Sequence, residues 1–207
     1  EMMEQSIKSY SFRQLMVSPL NMRRKLVSLI HNEIKNAQHG KPAKIQLKVN
    51  NLVDKSLINK LLDAAKAGVE VQLIVRGVCC LIPKRSKKES LEAISIVGRY
   101  LEHSRFMIFA NNDDPLYYIS SADWMERNLD KRIEVSVPVY DTEIRQELSH
   151  IFSLYWSDTV KARILDRSQK NNYRKSGDLR IHAQEELIEH YRHLELQKAI
   201  EEEPGDH

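Results

Sequence analysis

Residues 44–77 read KIQLKVNNLVDKSLINKLLDAAKAGVEVQLIVRG, and this stretch decides the fold. Ile45, Leu47 and Val49 alternate with Lys44, Gln46 and Lys48, the period of two expected of a half-buried strand. Asp54 stands where a helix wants its N-cap. Leu57, Ile58, Leu61, Leu62 and Ala65 then line one helical face, and Gly68 closes the helix. Val69, Val71, Leu73, Ile74 and Val75 make a second, strongly apolar strand. Strand, helix and strand in that order suit a right-handed crossover between parallel strands. Arg76 leaves the second strand just before Gly77. Ligands of open α/β sheets gather beyond the carboxyl ends of strands, and a guanidinium grips two phosphate oxygens at once. Arg76 therefore reads either as an anion clamp or as a strand-end arginine in water.

The pattern extends in both directions. Upstream, residues 11–17 read as a strand, and Ser18-Pro19 as N-cap and first residue of a helix. Met22, Leu26, Leu29, Ile30, Ile34 and Ala37 give that helix its apolar face, and Gly40 ends it. Downstream, Lys84, Arg85, Lys87 and Lys88 form a basic run after Pro83, either a solvated loop or a basic lid over a polyanion. Short strands are expected at 93–97, 105–110, 116–121 and 132–137, the last ended by Pro138. Asp141 caps a helix through Ser157, residues 166–178 read as a polar linker, and residues 179–203 as a charged helix. The fold expected is an α/β mixed sheet flanked by helices, with a C-terminal helical extension. The expected division is a domain over 1–165 and a linker with its helix over 166–207.

Composition narrows the function. The chain has 207 residues, with 32 Lys+Arg against 29 Asp+Glu and a formal net charge of +3. That balance makes no global case for nucleic-acid binding. No apolar run has the length of a membrane span and no signal peptide opens the chain. The only two cysteines are adjacent, Cys79 and Cys80, so neither a disulfide framework nor a CxxC clamp is available. The cytoplasm is the expected compartment, with peripheral attachment to a membrane left open. The chain opens on Glu1 and not Met, as a piece of a longer polypeptide would.

The six glycines never cluster into a dinucleotide-binding or Walker A loop, and neither a nucleophile elbow nor a zinc-protease motif is present. A chain that handles phosphates without these must use side chains. The densest group of candidates lies in residues 99–135. In an extended segment His103 and Arg105 share one face, setting an imidazole beside a permanent cation. Such a pair suits an anionic substrate, since the cation offsets phosphate charge and the imidazole attacks or moves a proton near neutral pH. The competing reading is a satisfied histidine with no chemistry. Arg132, opening the strand over 132–137, carries the same ambiguity as Arg76. Trp124 reads as a packing residue.

The sequence resembles the C-terminal domain of bacterial polyphosphate kinases of the first type. The stretches that carry the resemblance are LMVSP at 15–19, VNNLVDK at 49–55, LIVRGVC at 73–79, SIVGRYLEHSR at 95–105, SSADWM at 120–125, RNLDKRIEV at 127–135 and SDTVKAR at 157–163. Together they cover nearly the whole chain. That family in turn resembles the phospholipase-D superfamily, whose H-x-K motif falls on His103-Ser104-Arg105 and whose G-S-x-N motif falls on Ser120 to Asp123. The superfamily's later aspartate would fall on Ala110, which weakens the case for phosphodiester chemistry.

The resemblance implies a phospholipase-D-like fold and reversible transfer of the ATP terminal phosphate to inorganic polyphosphate. It places the phosphorylated histidine in a Gly-rich stretch of an upstream domain of the same polypeptide. His103 would be the catalytic acid/base or phosphate-positioning partner. Arg76, which precedes His103 by 27 residues, and Arg132 would contact the phosphates of ATP or polyphosphate. Arg105, Ser121 and Asp123 follow only through the superfamily motif. ATP and ADP are the implied nucleotides, Mg2+ the implied metal with its ligands mainly upstream, and the full-length enzyme an implied homo-oligomer. Two alternatives stand beside this reading: a homodimeric phospholipase-D-like phosphodiesterase or transferase, and a non-catalytic polyanion-binding module.

Overall fold

In the computed structural model, residues 12–83, 90–175 and 177–202 are described. The crossover forms as its sequence predicts. Strand β2 (Lys44–Val49) and strand β3 (Glu70–Val75) pair in parallel, with Lys44 opposite Glu70 and Val49 opposite Val75. Helix α2 (Lys55–Lys66) joins them, and the Asp54 carboxylate caps it by accepting the Leu57 N–H at 2.9 Å. Gly68 adopts φ +97°, a left-handed conformation that glycine enters at little cost.

Around this unit run β1 (Met16–Ser18), α1 (Met22–Gln38), β4 (Leu91–Ser95), β5 (Phe106–Phe109), β6 (Leu116–Ser120), α3 (Glu126–Asp130), β7 (Glu134–Val139), α4 (Thr142–Ser157), β8 (Arg163–Ile164) and α5 (Ala183–Glu202). The eight strands form one mixed sheet in the order β1-β7-β6-β5-β2-β3-β4-β8. β2, β3 and β4 are parallel, and the other neighbours pair antiparallel.

Strand alternation splits the core in two. Ile45, Leu47, Val49, Val71, Leu73, Val75, Met107 and Phe109 join Leu26 and Ile30 of α1 and Leu57 and Leu61 of α2 on one face. Ile74, Ile94, Phe106 and Ile108 meet Leu148, Phe152 and Tyr155 of α4, and Ala183 of α5, on the other. With both faces covered, Lys48 does not reach water as simple alternation predicts; it is only 5% exposed.

Other expectations shift. Ser18 does not cap α1. It ends β1, the Ser18–Pro19 peptide is cis, and α1 begins at Met22. The Asn21 side chain at the helix start instead accepts the Val17 N–H at 2.7 Å. Pro138 lies inside β7, opposite Tyr118, and does not end it. β1 reaches no further than Ser136, so β7 has a free edge at Pro138, where a strand tolerates proline. β7 starts at Glu134, β4 at Leu91 and β5 at Phe106, leaving His103, Arg105 and Arg132 in the segments that enter strands. The basic run 84–88 lies outside the described residues.

Arg23 of α1 locks the helices of the first face together. Its guanidinium meets both Asp54 oxygens, at 3.0 and 2.7 Å, and both Asp130 oxygens, at 2.7 and 2.5 Å. Burial pushes the Asp54 pKa up, but the Arg23 and backbone hydrogen bonds outweigh it and hold the group below the usual carboxylate range. Replacing Arg23 by Met leaves Asp54 buried without its counter-ion. Urea unfolding of that variant is expected to show a loss of about 3 kcal/mol, more than exposed ion pairs contribute.

Candidate anion site at the carboxyl end of the sheet

The strand directions bring every candidate residue to one end of the sheet. β2, β3, β4 and β6 finish there, and β5 and β7 begin there. Across that end lie Arg132 before β7, Ser121 and Asp123 after β6, His103 and Arg105 before β5, Asn50 after β2 and Arg76 after β3. At about 4.8 Å per strand, the four steps from β7 to β3 span about 19 Å.

Asp123 is the hub. It is buried, and its Oδ1 accepts the backbone N–H groups of Asn50 (2.9 Å) and Asn51 (3.1 Å) and the Arg105 Nε–H (2.8 Å). Its Oδ2 accepts the Asn51 side-chain amide at 2.8 Å. Burial pushes the Asp123 pKa up, but the Arg105 and Asn51 hydrogen bonds prevail and hold it below the usual carboxylate range. Asn51 Oδ1 in turn accepts the Val78 N–H at 3.0 Å, and Asn50 Oδ1 accepts the Arg76 Nε–H at 2.8 Å. The loops after β2, β3 and β6 are thus tied into one platform carrying Arg76. Gly77 is required in it: a Cβ there would sit 2.9 Å from the Asn50 carbonyl oxygen.

His103 is exposed on the segment entering β5. It does not share a strand face with Arg105, because β5 starts only at Phe106 and Arg105 turns inward to Asp123. The two are linked instead by an Arg105 Nη1–H bond to the His103 carbonyl oxygen, at 2.9 Å. His103 lines an open hollow of about 520 Å³ with Tyr100, Glu102, Ser104, Tyr155, Gln184 and two α5 side chains. Arg76 lines a smaller cleft next to it with Lys48, Glu102 and Tyr155, and the last two residues border both spaces. Arg76 and His103 are therefore neighbours across a shared wall. Arg132 is exposed at the same sheet end and lines neither space. The Ser121 hydroxyl donates to the Glu134 carboxylate and accepts the Val135 N–H, which secures the β6–β7 end.

Local pattern did not reveal Lys48, Glu102 or Gln184. Lys48 Nζ lies 3.1 Å from Glu102 Oε2 and 2.6 Å from Ser104 Oγ, and 4.8 Å from the Tyr155 ring centroid. Burial pushes its pKa down, and Glu102 acts against that shift. Burial and the hydrogen bond to Glu102 push the Tyr155 hydroxyl far above its ordinary value. Gln184, at the start of α5, accepts the Tyr100 N–H (3.1 Å) and donates to the Tyr100 carbonyl (2.9 Å) and Glu102 Oε1 (2.6 Å). The Asn-Asn doublet after an apolar strand was the one available signal for the platform. Among the described residues no three His, Cys, Asp or Glu side chains come together as a metal would need.

The family model described as "Polyphosphate kinase C-terminal domain 2" matches residues 15–184. The chain belongs to the polyphosphate kinase family. The polyphosphate kinase of Vibrio vulnificus is 49% identical over 186 residues, which are 89% of this chain and 27% of that protein. That of Escherichia coli K12 is 46% identical over 194 residues, 93% of this chain and 28% of that one. The chain thus spans little more than a quarter of these polyphosphate kinases. The crystal structure of the Porphyromonas gingivalis polyphosphate kinase superposes with a TM-score of 0.86 at 39% identity, covering 90% of this chain and 29% of that one. A phospholipase D family member, Nuc from Salmonella typhimurium, superposes at 0.54 with 14% identity, over 74% of this chain and 97% of that one. This second likeness is one of fold and bears out the expected phospholipase-D-like mixed sheet.

Two variants test the platform. Asp123→Asn sets an amide against the Asn51 amide and strips Arg105 of its counter-ion, with an expected loss of about 3 kcal/mol at pH 7. The depressed native pKa makes the Asp123 contribution full above the ordinary carboxylate range and lost as pH falls through the lower native value. The difference from the parent should therefore hold near neutrality and shrink below about pH 4, read by denaturant unfolding across pH. Gly77→Ala should cost about 1–3 kcal/mol by overpacking against backbone, and displace Arg76 in a crystal structure of the variant.

Proposed function

We propose that this chain is the C-terminal catalytic domain of a polyphosphate kinase, supplying one wall of a site for reversible phosphoryl transfer from ATP to polyphosphate. The observation that carries the reading is the charge state of the sheet end. Of the four cations named at this end, Lys48 is paired with Glu102 and Arg105 with Asp123, and Arg132 is exposed away from the cleft. Arg76 forms no ion pair among the described residues, and its guanidinium donates to the neutral side-chain amide of Asn50. A half-buried, oriented guanidinium without a counter-ion is a standing site for an anion, and phosphates are what the family's name implies.

In this reading Arg76 holds phosphate oxygens, and the exposed imidazole of His103 reaches the transferring group from the adjoining hollow. Phosphoryl transfer asks the protein mainly for positioning and charge neutralisation, which these two groups and their rigid platform supply. Arg132 meets a longer anion further along the same end. Mg2+ enters with ATP as its counter-ion, with ligands in preceding domains of the polypeptide. The phosphorylated histidine lies in those domains, so the 207-residue chain alone is inactive. We divide the chain at 165/166 into a catalytic domain and a C-terminal segment whose helix start packs onto that domain, and assign oligomerisation to the complete enzyme. Among the described residues no helix is long and apolar enough to cross a membrane.

The test compares this chain alone with the same chain joined to its preceding domains, each given ATP and Mg2+. Long polyphosphate and phosphohistidine are expected only from the longer polypeptide. There His103→Ala and Arg76→Ala should each lower kcat/KM by at least about 100-fold, and Arg76→Lys should not restore it. Robust autophosphorylation of the isolated chain would refute the half-site reading. His103-dependent cleavage of a model phosphodiester would move the protein to the phosphodiesterase class. Salt-sensitive polyphosphate binding without turnover in the longer polypeptide would leave only a polyanion-binding module.

A further inference from the structure

The segment that presents His103 has little regular structure of its own. Residues 96–105 belong to no strand or helix, and His103 and Ser104 are exposed. An exposed imidazole on such a segment would ordinarily wander among rotamers and backbone states. Here both of its neighbours are gripped by one buried ammonium. Lys48 Nζ contacts Glu102 Oε2 at 3.1 Å on one side of His103. On the other side it donates to Ser104 Oγ at 2.6 Å and approaches the Ser104 carbonyl oxygen at 3.4 Å. The second Glu102 oxygen is held by Gln184 at 2.6 Å, and the His103 carbonyl by Arg105 at 2.9 Å. Residues 102 to 105 are thus fixed one after another, leaving only the imidazole free.

Lys48 is a costly choice for this strand position. Its neighbours along the register, Ile74 of β3 and Phe106 of β5, are apolar, and it is itself 5% exposed. A buried ion pair is often no more stabilising than well-packed apolar side chains of the same volume. Stability alone is therefore a poor account of a lysine here, and the two residues it grips supply a better one.

We propose that Lys48 is a positioning residue for His103, acting through Glu102 and Ser104. Its catalytic consequence rests on the kinase reading above, whereas its structural consequence does not. Amide hydrogen exchange on the 207-residue chain separates the two. In Lys48→Met, exchange across residues 98–105 should quicken by about tenfold or more, while the β2 and β3 amides keep their protection. The double variant Lys48→Met/Glu102→Gln removes both charges, so no carboxylate is left without its counter-ion and the fold survives. It should show the same local loss. Unchanged exchange at 98–105 in both variants would overturn the proposal.

The kinetic arm uses the longer polypeptide. There both variants should lower kcat by about 100-fold, with KM for ATP within about twofold of the parent, because orientation and not binding is lost. Freed exchange with an unaltered kcat would also overturn the positioning role. A parent polypeptide that makes no polyphosphate would sink the kinase reading instead, and exchange alone would then decide whether Lys48 holds the segment.

Discussion

The Asp123 carboxylate is the interaction on which this sheet end depends. Loops beyond the carboxyl ends of strands have no ladder of their own, and their N–H groups must find other acceptors. Asp123 Oδ1 accepts those of both Asn50 and Asn51, Oδ2 accepts the Asn51 side-chain amide, and Asn51 Oδ1 accepts the Val78 N–H in turn. The same carboxylate takes Arg105, which holds the His103 carbonyl. Removing this one group would release two loops and a cation together. That is why a residue suggested only by a superfamily motif has a central structural part. Its four donors make it a scaffold for its charged and amide neighbours.

The second constraint is that both faces of the sheet are covered. α1 and α2 seal one side, while α4 and the start of α5 seal the other. Any polar side chain on a central strand must then be partnered inside the protein. Lys48 solves this by pairing with Glu102 and lying near the Tyr155 ring, so that a burial problem on β2 is solved by the segment carrying His103. Gln184 performs the matching task from α5, where a Cβ on Gly98 would collide with its amide. The C-terminal helix, which sequence alone left without a task, is thereby wall and clamp of the hollow beside His103. Asp158 reinforces this by accepting the N–H groups of Lys161, Ala162 and Ala183, so the chain after α4 is folded back onto the domain.

Much of this was legible because it is periodic or local. The β2–α2–β3 unit, the Asp54 and Asp141 caps and the turn glycines at 40 and 68 rest on rules that span a few residues. Arg76 was legible as a strand-end guanidinium, and the motif resemblance singled out His103. What escaped was set by distant partners. Alternation sent Lys48 to water because nothing near it announces the helices that cover that face. Ser18-Pro19 matches a helix start, yet Val17 binds Asn21 and moves the start to Met22. The pairing of Arg105 with Asp123, 18 residues apart, depends on β5 and β6 lying side by side. Arg132 shows the opposite limit: the topology brings it to the right end of the sheet, but not to the cleft of Arg76.

Charge bookkeeping at the sheet end bears on why a domain of this kind would work with a partner wall. Lys48 and Arg105 are each matched by a carboxylate, half-buried Glu102 and buried Asp123, so their positive charge is spent on holding the shape of this end. The Arg76 guanidinium forms no ion pair among the described residues, and Arg132 lies exposed away from its cleft. A nucleotide triphosphate beside a polyphosphate chain brings several negative charges to one place, and a single guanidinium cannot offset them in a partly desolvated hollow. Under the proposed reading, the remaining counter-charge comes from Arg132 further along this end, from Mg2+ and from groups beyond it. The chain spans little more than a quarter of the Vibrio vulnificus and Escherichia coli polyphosphate kinases, and under the proposed reading the remainder of such a polypeptide carries those groups.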